Sequence, residues 1–256
     1  MPCSFNDVQE NSHPDLEDQS MKPFVFINMA MTADGKIATA NRAISSFGSK
    51  DDQDHLLELR ATADAVMAGA RTVDSADVNM GPGPARFRAM RIKRGLAEYN
   101  LRIIVSRSGS INPGAAIFKH PFSPILILTT DAAPKSRVKK LRDLADKVES
   151  FGDREIDFPA ALAWLHKQWG VKRLLCEGGG ELNDAVVRAG LVDEIHLTVC
   201  PFIFAGREAP TIADGAGVSN LASAAQFELK SRRRVGAEMF LVYRARVALR
   251  PPNSVA

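Results

Sequence analysis

From residue 24 onward, short apolar runs alternate with stretches in which apolar residues recur every three or four positions, the pattern of a sheet flanked by helices. Phe24-Val25-Phe26-Ile27-Asn28-Met29-Ala30-Met31 is apolar on both faces and predicts a buried first strand, closed by the turn Thr32-Ala33-Asp34-Gly35. Ser49-Lys50-Asp51-Asp52 opens a helix to about residue 62, with acidic residues in its first turn and Leu56, Leu57 and Leu59 turned inward. Further apolar runs predict strands at 64–69, 101–105, 125–129, 148–151, 171–176 and 194–201. Helical periodicity covers 135–145, 158–168 and 181–189, the last stopped by Gly190 as a C-terminal cap. Residues 227–234 and 238–246 alternate around Val235-Gly236-Ala237 like an antiparallel hairpin. The expected fold is therefore α/β, a central, mostly parallel mixed sheet flanked by helices with a C-terminal antiparallel hairpin.

Composition narrows the setting. A chain of 256 residues, 45% hydrophobic and 25% charged, is ordinary for a globular protein. With no internal repeat, a single domain at 23–249 is the economical division. The polar, acidic stretch 1–22 is expected to be a disordered extension, and 250–256 a tail. Its start lacks the basic and apolar segments of a signal peptide, and no apolar run nears the ~18 residues of a membrane span. Cys3, Cys176 and Cys200 are odd in number and widely spaced, which indicates neither a disulfide framework nor a metal site and suits the cytoplasm. A net charge of +3 is too small to argue for nucleic acid. The local basic excess at Arg86, Arg88, Arg91, Lys93 and Arg94, and again at Arg232-Arg233-Arg234, is either a solvated face or an attraction for anionic ligands. It lies in a Gly/Pro-rich connection over 74–100 with a short helix expected at 88–98, and a connection of that length is often functional.

In an open α/β sheet, ligands bind outside the carboxyl ends of strands. Four such ends carry candidate chemistry. The first has Asn28 in the strand, then Thr32, Asp34, Gly35 and Lys36; the second has Gly69, Arg71 and Thr72, where Thr72 is a possible helix cap; the third has Ser106-Arg107-Ser108-Gly109. Two hydroxyls and a guanidinium at that third tip suit a phosphomonoester such as the 2′-phosphate of NADPH, although a plain surface turn explains them equally well. The fourth is Glu177-Gly178-Gly179-Gly180, a carboxylate and three glycines at the start of a helix. Glycines let backbone approach a phosphate, and a helix N-terminus attracts one, but such runs also serve as packing hinges.

In combination these blocks resemble the stand-alone reductases of riboflavin biosynthesis, whose fold is similar to that of dihydrofolate reductase. The resemblance is carried by Thr32-Ala33-Asp34-Gly35-Lys36-Ile37-Ala38, by Leu59-Arg60-Ala61, by the D-A-V-x-x-G-x-x-T-V pattern from Asp64 to Val73, by the E-G-G block from Glu177 to Glu194, and by the P-x-x-x-x-G-x-x-A-P-T block from Pro201 to Thr211. It implies NADPH as cofactor, bound by Thr72, Ser106, Arg107, Gly179, Gly180, Glu181, Leu182 and Asn183. It implies a ribosylaminopyrimidine 5′-phosphate as substrate, contacted by Arg60 and Glu177 with Asn28, Ser45 and Asn79 nearby, and reduced at its ribose to a ribityl chain. Lys36, Asp34 and Glu177 are the implied catalytic residues, for proton handling and orientation. A homodimer is implied as well, and neither nucleic acid nor membrane as partner. The chain departs from the pattern in the 72–80 block, where Ala76 replaces an aspartate and Val78 a proline, and in Ile44-Ser45-Ser46-Phe47-Gly48. Those departures leave open a related reductase of a pterin or dihydrofolate, and a nucleotide-binding protein without catalysis. The histidine and cysteine pattern of the zinc deaminase that accompanies many such reductases is not found in these residues.

Overall fold

The computed structural model describes residues 22–42, 47–75 and 78–246. The expected extension up to residue 21, Ser45, Ala76 and the tail at 250–256 lie outside the described residues. Lys22, placed in that extension by sequence, is tied down: its Nζ donates to Asp193 Oδ2 at 2.9 Å.

Nine strands form one sheet: β1 (Phe24–Thr32), β2 (Ala65–Gly69), β3 (Leu101–Val105), β4 (Ile125–Thr129), β5 (Lys147–Ser150), β6 (Arg173–Cys176), β7 (Glu194–Cys200), β8 (Phe227–Val235) and β9 (Glu238–Ala245). Among the described residues six α-helices join them: α1 (Lys50–Arg60), α2 (Ala70–Ser75), α3 (Ala85–Lys93), α4 (Lys135–Arg142), α5 (Phe158–Trp169) and α6 (Gly180–Arg188). The strand order is β5-β4-β3-β2-β6-β1-β7-β9-β8. β1 to β7 are all parallel, and β9 runs antiparallel to both β7 and β8. Two consequences matter for a site. All seven parallel strands end on the same edge, and β6 lies between β1 and β2, so the tips of those three strands are neighbours.

Side chains alternate across a strand, which explains why the central strands are mostly apolar on both faces, with Asn28 and Arg102 as buried polar exceptions. Val25, Ile27, Met67, Ile103, Leu126 and Leu174 pack on one face with Leu162, Leu165 and Val186 of α5 and α6. Phe26, Val66, Ala68, Ile104, Ile127 and Leu175 pack on the other with Leu59 and Leu141 of α1 and α4. Each such burial contributes roughly 1.5–3 kcal/mol relative to exposure.

Three expectations need correction. The helix placed at 88–98 is α3, which starts earlier because Pro84 precedes its first turn and stops near Gly95, at φ +75°. The tip of β2 turns at once into the short helix α2, and Thr72 lies inside it instead of capping it. The basic segment 86–94 is largely self-contained: Arg86 pairs with Asp54, Arg88 with Glu98, and Arg91 is buried against main-chain carbonyls. Arg86, Lys93 and Arg94 of the five are exposed, Arg86 within its pair with Asp54, so the segment is mostly a solvated face and not a five-cation attraction for anions.

Helix α1 is fastened to the hairpin as well as to the core. Ser49 caps its first turn by accepting from the Asp52 N–H, while the Ser49 N–H and hydroxyl donate to the carboxylate of Glu238 on β9 at 2.7 and 2.6 Å. One turn on, the His55 ring lies against those of His196 and Phe240. Burial pushes its pKa down to about 4, and the neighbouring His196 and Arg233 push the same way. The unfolded chain therefore binds a proton below about pH 6.5 that the folded protein refuses until about pH 4. Stability that is complete above pH 6.5 is lost as the pH falls through this window, by at most ~1.4 kcal/mol per pH unit for one proton. His196, also lowered by burial, adds to the loss, and Asp52, raised by burial, opposes it. Urea midpoints measured between pH 7.5 and 4.5 are expected to decline for the parent and to decline less for His55→Phe; parallel curves would show that His55 does not remain neutral.

Candidate active site

The site is built at the shared edge where β1, β2 and β6 end. Where β6 stops, the Glu177 N–H still donates to Met67 of β2 and the Gly178 carbonyl accepts from the Gly69 N–H at 2.7 Å. Gly178 has φ +72°, and its peptide bond to Gly179 is cis. The Gly179 N–H donates to Thr72 Oγ1 at 3.0 Å, which brings α2 against the glycine turn. α6 then starts with Gly179 as its N-cap and no side-chain cap, so the first-turn N–H groups and the positive dipole end are available to an anion.

The three glycines serve different needs. A Cβ on Gly178 would crowd Met29 and Asn183, and one on Gly180 would meet the Thr211 carbonyl at 2.6 Å and Asp214 Oδ2 at 2.5 Å. A Cβ on Gly179 would have Thr72 Oγ1 at 3.5 Å as its nearest neighbour, an ordinary contact. Gly178 and Gly180 are thus required by packing, whereas at Gly179 only Thr72 comes near among the described residues, and at ordinary contact distance.

Glu177 and Arg60 form a bidentate pair. Arg60 Nε donates to Oε1 and Nη2 to Oε2 of Glu177, both at 2.6 Å, and Nη1 donates to the Gly81 carbonyl at 2.7 Å. Both side chains are about nine-tenths buried. Asn79 stands one step behind: its Oδ1 accepts from the Gly81 N–H and shapes the turn that meets Arg60. Asn28, on β1, has a buried Oδ1 with no hydrogen-bond partner among the described residues, an acceptor suited to a ligand donor.

At the tip of β1 the turn is bound to residues 202–211. Asp34 accepts from the Thr32 hydroxyl and from the Phe204 and Ala205 N–H groups. These bonds, the Thr32 hydroxyl foremost, hold its pKa below the usual carboxylate range, which keeps it an acceptor. Lys36 Nζ donates to the Ala209 carbonyl at 2.9 Å.

The third tip is less open than its sequence suggests. Ser106 is buried and its Oγ donates to the Ser110 carbonyl at 3.2 Å; the Arg107 guanidinium pairs with Glu155 on the surface. In α6, Leu182 belongs to the core and offers a ligand its main chain only, while Asn183 has its amide on the Ile212 carbonyl and its N–H on the Gly179 carbonyl. Glu181 is exposed and paired with Arg71. Sequence reasoning marked the 201–211 block without seeing its work. Thr211, joined to Asp214 by three hydrogen bonds, closes over the start of α6, with the Asp214 N–H on the Gly180 carbonyl. Cys176 and Cys200 are buried, their thiols pushed up to about 12 chiefly by burial, and contribute no nucleophile.

Residues 23–241 match the model of the RibD C-terminal domain family. The 2,5-diamino-6-ribosylamino-4(3H)-pyrimidinone 5′-phosphate reductase of Methanothermobacter thermautotrophicus is 34% identical over 223 residues, which cover 87% of this chain and 98% of that protein. The reductase of the same description from Archaeoglobus fulgidus is 33% identical over 195 residues, 76% of this chain and 88% of that one. Among solved structures, a pyrimidine reductase-like protein of Corynebacterium diphtheriae shares the fold with a TM-score of 0.73 at 23% identity, over 87% of this chain and 92% of its own. RibD of Acinetobacter baumannii does so with a TM-score of 0.71 at 22% identity, and there this chain spans 59% of the longer protein.

The unequal glycines can be told apart by stability alone. Gly180→Ala is expected to cost about 1–3 kcal/mol, because main chain must move to admit the methyl group, and to lower the Tm by several degrees. Gly179→Ala, with extended backbone and no short contact, is expected to keep the Tm within about 2 °C of the parent in a thermal melt. A reversed order would show that the turn is packed differently.

Proposed function

Since the chain belongs to the RibD C-terminal domain family, we propose that it is an NADPH-dependent reductase of the riboflavin pathway, which turns the ribose of a ribosylaminopyrimidine 5′-phosphate into a ribityl chain. The observation that carries this reading is the buried Arg60–Glu177 pair standing beside an uncapped helix start whose N-cap glycine, among the described residues, has only Thr72 Oγ1 near the place of a Cβ, at 3.5 Å. A pyrophosphate fits that start, because the bare Gly179 is the cradle that a side chain would fill. Thr72 orients the cradle, and Gly180, Glu181 and Leu182 offer it their N–H groups, whereas the Gly179 N–H is held by Thr72 and the Asn183 N–H by the Gly179 carbonyl, so these two shape the cradle. Ser106 and Arg107 are the groups for the 2′-phosphate, Ser106 on exchanging the Ser110 carbonyl for it and Arg107 on exchanging Glu155. When bound, the cofactor supplies a hydride.

The chain's own residues do the rest. The remaining N–H groups of Arg60 and the second lone pairs of Glu177 are fixed in direction by the bidentate pair and orient the phosphorylated substrate. Asn28 Oδ1 accepts from it. Lys36, held by one hydrogen bond to Ala209, has ammonium protons left to deliver to the ribose ring oxygen as the ring opens at C1′. Asp34, accepting from the Thr32 hydroxyl and the Phe204 and Ala205 N–H groups, keeps the Lys36 turn against residues 204–205 and so positions it. A second copy of the chain is the occupant we assign to β8, the outer strand of the sheet, whose residues 228–234 are exposed and include the apolar Leu229. The cytoplasm, as a reducing compartment, suits its free buried thiols.

Consumption of NADPH is expected with the ribosylaminopyrimidine phosphate and not with dihydrofolate; the reverse preference would refute the substrate. Lys36→Ala and Glu177→Gln are expected to lower kcat by roughly 10²-fold or more while the NADPH dissociation constant stays within about twofold. Gly179→Val is expected to fold and to lose NADPH binding in a fluorescence titration. Equal loss of binding in all three would mean that the roles are misassigned.

A further inference from the structure

We propose that Arg91 is a positioning residue for this reaction, setting through the last turn of α1 where the Arg60 guanidinium meets the substrate. The inference rests on the reading above that Arg60 contacts that substrate.

Arg91 lies on α3 and is 1% exposed. Among the described residues it has no carboxylate in ion-pair distance. Its Nη1 donates to the carbonyl of Arg60 itself at 2.7 Å and to that of Ala63 at 2.5 Å, and its Nε donates to the Ala97 carbonyl at 2.8 Å. Burying a guanidinium costs several kcal/mol, and without an ion pair the cost must be offset by charge-assisted hydrogen bonds. The Arg60 carbonyl closes α1 at its negative dipole end, where it also accepts from the Ala63 N–H at 3.3 Å, and the Ala63 carbonyl lies three residues further on, so Arg91 ties the helix end to the turn that leaves it. Arg91 is therefore a C-terminal cap supplied from another helix.

A cap anywhere would stabilise α1; this one holds the backbone of the residue whose side chain faces the site. The same connection supplies the Gly81 carbonyl that receives Arg60 Nη1, and the Asn100 amide, just before β3, holds the Met80 carbonyl beside it. Arg60 is thus fixed from three sides: its side chain by Glu177 from the sheet and by Gly81 from the connection, its main chain by Arg91. The long segment 78–97 does for Arg60 what the basic composition of that segment does not announce.

A double-mutant cycle between Arg91 and Arg60 in the full-length enzyme tests this, reading KM for the ribosylaminopyrimidine phosphate and the dissociation constant of NADPH. Arg91→Lys keeps the charge but loses the fork that reaches several carbonyls. It is expected to raise KM about fivefold to tenfold and to leave NADPH binding within about twofold, and in an Arg60→Lys background to raise KM by less than about twofold. Because KM reports only on folded enzyme, a lowered Tm cannot imitate this result, and Arg91→Gln serves in the same cycle if Arg91→Lys does not fold. An equal KM factor in both backgrounds, or parallel losses of substrate and NADPH binding, overturns the proposal. If Arg60→Lys alone leaves KM unchanged, the assignment of Arg60 to the substrate fails, and the proposal with it.

Discussion

The bidentate bridge between Arg60 and Glu177 joins the last turn of α1 to the tip of β6, and the rest of the site is arranged around it. Two charges removed from water cost about as much as their attraction returns, so the pair is a poor device for stability alone. Its value lies in direction. A guanidinium and a carboxylate locked face to face have fixed remaining donors and acceptors, which a mobile surface pair lacks. That rigidity needs support from both partners: Glu177 inherits it from a strand paired on both sides, and Arg60 from a helix fastened at its start by Glu238 and at its end by Arg91.

Most of the architecture was legible because it depends on a local signal. Strands buried on both faces are apolar at most positions, and the run Ile125-Leu126-Ile127-Leu128 says so directly, while β3 keeps the pattern around the buried Arg102. Helix ends were harder. α3 begins after Pro84 and stops near Gly95, cues that are plain once the helix is known but that compete with charge composition when it is not. α2 had no local cue at all. Six residues cannot display a helical period, and its place depends on Thr72 meeting a glycine turn more than a hundred residues away.

The site was legible as a set of residues and illegible as a set of relations. Asp34, Lys36, Arg60 and Glu177 are marked by their motifs, yet nothing in the motifs says that two of them pair and that Asp34 is spent on backbone N–H groups. The glycine run reads as three equal residues, whereas contact with Thr211 and Asp214 separates Gly180 from Gly179. Arg91 is the clearest case. Its partners are carbonyls, which every residue carries, so no residue type elsewhere in the chain betrays the bond.

The position of β6 between β1 and β2 has a consequence for the order of events during synthesis. The first two strands leave the ribosome early but do not pair with each other; the strand that separates them is made more than a hundred residues later, and the Thr211–Asp214 clasp over α6 later still. Non-local pairing of this kind delays folding, because the loop entropy is lost before the contacts that offset it exist. A growing chain thus has no competent pocket until nearly all of it has emerged, and ligand cannot assist its folding before that point.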